Sequence, residues 1–138
     1  MDPIISIVAG ATLLTVIGIM SGGTFLLRIH AKGLTFNALQ KTFFRAGHAH
    51  AGVLVILGLV VILVTVASGA PAPWQWAGVG VLASALLIPA GFFLSVLGPD
   101  PKRPGRLLAL LWAGVVVLAG SLATAAVGVI VGGVTALG

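Results

Sequence analysis

The side chains in this chain capable of polar chemistry are few and clustered. Arg28, His30, Lys32, Lys41, Arg45, His48 and His50 fall in one stretch, and Lys102, Arg103 and Arg106 in another. These are all seven cations and all three histidines. Imidazole ligates haem iron and copper-type metals. A guanidinium pairs with a propionate, a phosphate or a carboxylate. His48, His30, His50, Arg45 and Arg28 are therefore the candidate cofactor-contacting residues, for haem b or copper. His48 and His30 are the candidate metal ligands. The chain has no cysteine, glutamate or tyrosine. Thiolate chemistry is excluded, and a carboxylate relay would have only Asp2 and Asp100 to use. Ser6, Ser21, Ser84, Ser95 and Ser121 have no evident histidine and acid partners at one depth, which argues against a serine hydrolase.

Helix geometry separates two of the histidines. Positions i and i+2 lie about 200° apart on a helix, so His48 and His50 cannot grip one metal together. The face of His48 also carries Ala51, Gly52, Val55 and Leu59. It is small beside the ring and permits close approach of another helix. The face of His50 carries Val53, Leu54, Leu57 and Val61 and suits lipid or a partner protein. His48 is thus the better candidate for an internal site, with His30 at a similar depth on the neighbouring helix.

The elements that position these residues follow from composition. Of 138 residues, 59% are hydrophobic and 7% charged, with a mean hydropathy of +1.26. Soluble domains carry about 25% charged residues. Such a chain cannot cover a water-facing surface, and we expect an all-α, integral membrane four-helix bundle in a single domain. A span needs about 20 mostly apolar residues, and four runs qualify, at about 4–27, 43–67, 76–97 and 107–135. Lys32-Gly33, the stretch Ser68–Pro73 and the stretch Gly98–Gly105 break them. The start Met1-Asp2-Pro3 lacks the basic character of a signal peptide, so the first run is expected to remain as a span. Every Lys and Arg lies in or just beside the first and third connections. By the positive-inside rule these loops are cytoplasmic and both termini outside, in a bacterial plasma membrane. Membrane lipids are then expected partners, the cations meeting anionic headgroups, and nucleic acid is not.

Lipid gives helices no hydrophobic reason to associate, so small residues that allow close contact matter. Gly120, Thr124, Gly128 and Gly132, at four-residue spacing, and Gly18 with Gly22 form expected contact stripes, within the bundle or between subunits. Pro89 and Gly91 predict a kink in the third helix.

The stretch Ala-Gly-His48-Ala-His50-Ala-Gly-Val-Leu resembles the His-x-His helix of haem-copper oxidase catalytic subunits. The resemblance implies a helix whose two histidines serve two different sites. Four spans, with Arg45-Ala46-Gly47-His48 at the start of the second, are similar to the small four-helix membrane enzymes of eicosanoid and glutathione metabolism, which implies a lipophilic-substrate transferase. Together with Pro89-Ala-Gly-Phe-Phe-Leu-Ser95, the first motif also resembles a group of small uncharacterised bacterial four-helix membrane proteins. That group brings no activity with it.

Three functions are therefore open. The first is a subunit or accessory component of a membrane assembly with a His-based haem or metal site of electron-transfer type. The second is a structural protein without cofactor, homo-oligomeric or bound to other membrane subunits, in which the cations and histidines only anchor helix ends. The third is the transferase. The near absence of catalytic side chains favours a protein that is not an enzyme on its own.

Overall fold

A computed structural model describes residues 1–31 and 36–138, with the side chains of 29–31 left aside. The side chain of His30 and all of Lys32 therefore lie outside the described residues. The chain forms four long helices, α1 (Pro3–Ala31), α2 (Ala38–Ala67), α3 (Ala72–Leu94) and α4 (Ala109–Thr135), the last preceded by a single 3-10 turn at Arg106–Leu108. No strand occurs among the described residues. All four helices are long and apolar enough to cross a membrane.

The ends have local causes. α2 begins before the apolar run because Asn37 caps it. The Asn37 side chain accepts from the Gln40 backbone N–H, and the Gln40 side chain accepts from the Asn37 backbone N–H. This reciprocal pair satisfies two of the amide donors that a helix start leaves open. At the other end Gly69 adopts φ +70, a left-handed conformation that glycine reaches without a Cβ penalty. α3 then starts with Pro73 in its first turn, where its missing N–H costs nothing. α3 is assigned as one continuous helix through Pro89, which is buried. It ends at Leu94, three residues short of the expected Leu97.

Neighbouring helices run antiparallel. Gly58 meets Leu82 and Gly78 meets Ile62 between α2 and α3. Gly91 meets Leu111, Gly114 meets Ile88 and Gly128 meets Trp74 between α3 and α4. In each pair the numbers rise on one helix as they fall on the other. α3 is the hub, with half of its most apolar window buried (50%), against 11% for α1.

Only part of the glycine stripe on α4 makes contact within the bundle. Gly128 and Gly132 press against Trp74 and the Ser68 carbonyl, whereas Gly120 has nothing near it and Thr124 is exposed. A four-residue step advances 400°, so the stripe drifts about 40° per step. Gly120 and Gly132 are then about 120° apart around the helix axis, and here only the latter faces the bundle. The inward line on α4 runs instead through Gly114, Ser121, Ala125, Gly128 and Gly132. On α1, Gly22 is a contact, while a Cβ added at Gly18 would meet open space.

Candidate functional site

His48 lies on the second turn-pair of α2, on the side that faces α1. A Cβ added to Gly22 would stand 3.3 Å from His48 Nδ1, and one added to Gly23 would stand 3.4 Å from Nε2. The ring is therefore seated over a notch of two adjacent glycines, with both nitrogens close to the α1 backbone. His48 is half-buried. It lines a cavity of about 390 Å³ together with Gly23, Leu26, Leu27, Lys41, Phe44 and Arg45. It also lines a second cavity of about 280 Å³, on the side away from the cations, with Thr15, Gly18, Ile19, Gly22, Ala51 and Phe93. The sequence expectation of a small, closely approached face around His48 matches this seat.

His50 points elsewhere. Its Nδ1 donates to the Ala46 carbonyl at 2.8 Å. A carbonyl only accepts, so Nδ1 carries the hydrogen of this bond. The ring is exposed but lies against Phe92 of α3, with centroids 5.1 Å apart. The face read from the residue types as suited to lipid or a partner protein is partly covered by α3. Leu54 on that face is 5% exposed and packs into a cluster with Val55, Ala85 and Ile88. α3 reaches α2 there because Gly58 and Gly78 admit the opposing leucine and isoleucine.

The arginines also divide. Arg45 borders the larger cavity and Lys41 joins it there, a residue absent from the cofactor-contacting set read from the sequence. The signal for Lys41 was present: it stands four residues before Arg45 and seven before His48, one face of a helix. Arg28 is exposed and is not among the lining residues. His30, the expected partner of His48, falls outside the described side chains. Among the described residues, no group of three or more His, Cys, Asp or Glu side chains is placed to hold a metal ion.

A second polar centre escaped the sequence reading. The Gln40 side chain is 3% exposed and donates to the Val96 and Gly98 carbonyls at 3.1 and 3.0 Å. The Asn37 amide donates to Asp100 Oδ1 and to the Pro101 carbonyl, both at 2.8 Å. Asp100, at φ 57, also pairs with Lys102. The Lys102 ammonium and then the Asn37 amide hold the Asp100 carboxyl below its usual range. These bonds tie the start of α2 to the α3–α4 connection. The Asn37-x-x-Gln40 spacing of a capping box was readable, but the partners across the loop were not.

The chain matches no protein-family model, no curated protein and no solved structure.

Proposed function

We propose that the chain is an integral membrane protein of the bacterial plasma membrane that serves as a component of a membrane assembly and holds a ligand at His48. Both termini lie outside and the α1–α2 and α3–α4 connections lie in the cytoplasm. The orientation is supported by the placement of all seven Lys and Arg in and beside those two connections. Trp76 and Trp112, 41% and 64% exposed, suit the two interfaces, where amphipathic rings are favoured.

The observation that carries the ligand reading is the seat of His48. An imidazole stands between two cavities, with Lys41 and Arg45 bordering the larger one. A membrane helix that hosts an ionisable group at such a place is a functional candidate. In its redox form the ligand is a haem or a copper-type metal. One His48 nitrogen would be a ligand, and Lys41 and Arg45 would balance the acid groups of a haem. The described residues supply one imidazole there, so the second ligand comes from His30 or from another subunit.

The purified protein's absorption spectrum, oxidised and reduced, together with its metal content, tests this form. A Soret band or stoichiometric copper that is lost in His48→Ala and kept in His50→Ala supports it. Neither chromophore nor metal in wild type overturns it. The cofactor-free structural reading keeps one specific support, the packing of the His48 ring into the Gly22–Gly23 notch. Native mass in mild detergent tests the assembly: a monomer under gentle extraction counts against a subunit role.

A further inference from the structure

The His48 seat belongs to a longer feature. Lys41, Arg45, His48, Ala51 and Val55 follow one another on α2 at spacings of three and four residues, which places them on one face. All five line cavities that open along α1. Three cavities of about 390, 280 and 280 Å³ succeed each other there. The first and second share His48, and the second and third share Thr15. From Lys41 to Val55 the seam runs about 21 Å at 1.5 Å per residue, which exceeds half of a hydrocarbon core of about 30 Å.

The two ends differ in chemistry. At one end stand Lys41 and Arg45, with no acid among the lining residues. The chain has two acids. Asp100 is paired with Lys102, and Asp2 lies at the opposite end of α1. Beyond His48 the seam is apolar in effect. The Thr15 hydroxyl donates to the Thr12 carbonyl at 2.7 Å and the Thr12 hydroxyl to the Val8 carbonyl at 2.8 Å. Those hydroxyls are engaged within α1 and offer a ligand mainly their methyl groups. Gly18 leaves the room there, while Gly22 is covered by the His48 ring.

We propose that this seam binds an anionic phospholipid, its phosphate held by Lys41 and Arg45 and one acyl chain laid past the His48 ring along Gly18 to Thr15. A cationic mouth selects the headgroup charge, and an apolar trough of this length suits a chain of one leaflet. The inference rests on the reading of the α1–α2 seam as a ligand site in a membrane, and it needs no metal or haem.

The test uses the full chain in phosphatidylcholine nanodiscs. A trace of diazirine-tailed phosphatidylglycerol is added in one arm, and diazirine-tailed phosphatidylcholine in the other. After illumination, cross-linked positions are read by peptide mass spectrometry. The expected result is labelling concentrated at Thr15, Gly18, Ile19 and Ala51 by the anionic probe, several-fold above the zwitterionic one. Lys41→Gln with Arg45→Gln should reduce that labelling roughly thirtyfold, as two lost headgroup contacts imply, while Arg45→Lys retains it. Gly18→Leu, which meets no neighbour with its Cβ, should block the trough and cut labelling beyond it, with thermal melting confirming that each variant folds. Equal labelling by both probes overturns the proposal, as does labelling spread over the outward residues Leu13, Leu14 and Ile17. The His48 cofactor reading is judged separately by spectrum and metal content. Lipid selectivity lost with a chromophore present sinks this inference alone, and selectivity present without a chromophore sinks only the cofactor.

Discussion

Leu82 on α3 packs so closely on Gly58 that a side chain there would have to displace it, whereas Leu13 on α1 is 60% exposed. Both are leucines on long apolar helices, and both would be equally content in lipid. The difference is whether a facing helix offers a hole of the right shape. α3 alternates small residues, Gly78, Ser84, Ala85 and Gly91, with larger ones that enter gaps on α2 and α4. α1 has glycines too, but Gly10 and Gly18 face no opposing side chain. Apart from Ile5, fully buried near one end, and the Gly22–Gly23 notch under His48, it packs on the core through residues that stay only partly buried, Val8, Ala9, Val16 and Ile19. In lipid, association depends on van der Waals fit, since burial of apolar surface from water is not on offer. A hub of interlocked helices and a loosely seated fourth follow from that, and the seam between them is where ligand-sized space survives.

The sharpest way to break this contrast is to place a leucine at equivalent small residues in the two regions. Gly91→Leu must push its side chain into the Leu111 backbone. A loss of about 3 kcal/mol or more in detergent unfolding is expected, because overpacking against backbone cannot relax cheaply. Gly18→Leu enters open space and should change stability by less than about 0.5 kcal/mol. Comparable losses at the two positions would mean that α1 packs as tightly as α3.

Truncation sharpens the same comparison at lower amplitude. Ile88, 3% exposed at the junction of α2, α3 and α4, should cost about 2 kcal/mol as Ile88→Ala through the cavity it leaves. Ile17→Ala, at a residue 63% exposed, should stay within about 0.5 kcal/mol of wild type by the same measurement.

The polar tie at the start of α2 ranks next. Gln40→Ala removes two hydrogen bonds to buried or half-buried carbonyls and one arm of the capping box. It should cost about 1–2 kcal/mol, and Asn37→Ala about 1 kcal/mol as a lost cap. Amide hydrogen exchange of the first α2 turn should rise in both, leaving the α2–α3 core protected. Uniform exchange changes across the bundle would contradict a local tie.

The smallest effect concerns acid. The folded Asp100 carboxyl is held below its usual range by Lys102 and Asn37. A depressed folded value means that its contribution is present above the ordinary carboxylate range. That contribution is lost as pH falls through the lowered value. Acidification should therefore loosen the α3–α4 connection slightly, and Asp100→Asn should flatten that response. Asp100 is a surface group, so global melting should hardly move.

Much of the architecture was legible because it rests on local rules. Apolar runs of span length, broken by Pro71 and Pro73 and by the glycine and proline residues of 98–105, define four helices without knowledge of their neighbours. The divergence of His48 and His50 follows from helix geometry alone, and the structure keeps them on different neighbours. The start of α2 was set back from Phe43 to Ala38 by the Asn37–Gln40 box, a pattern present in the sequence but outside an apolar-run criterion. Within the bundle only the Gly128–Gly132 part of the expected stripe makes contact, because an exact four-residue period drifts around a helix of 3.6 residues per turn.

The amino-acid sequence by itself determined four apolar helices, their approximate ends, the two cationic connections and the separation of the two histidines, since each depends on residues close together in the chain. Only the tertiary structure decided that His48 sits over Gly22 and Gly23, that His50 lies on Phe92, that Lys41 rather than Arg28 joins Arg45 at the cavity, and that Gln40 bonds across to the α3–α4 connection. Those outcomes depend on which helix faces which, and in an apolar chain that choice rests on the fit of small residues to large ones across distant segments, a matter of shape that hydropathy does not encode.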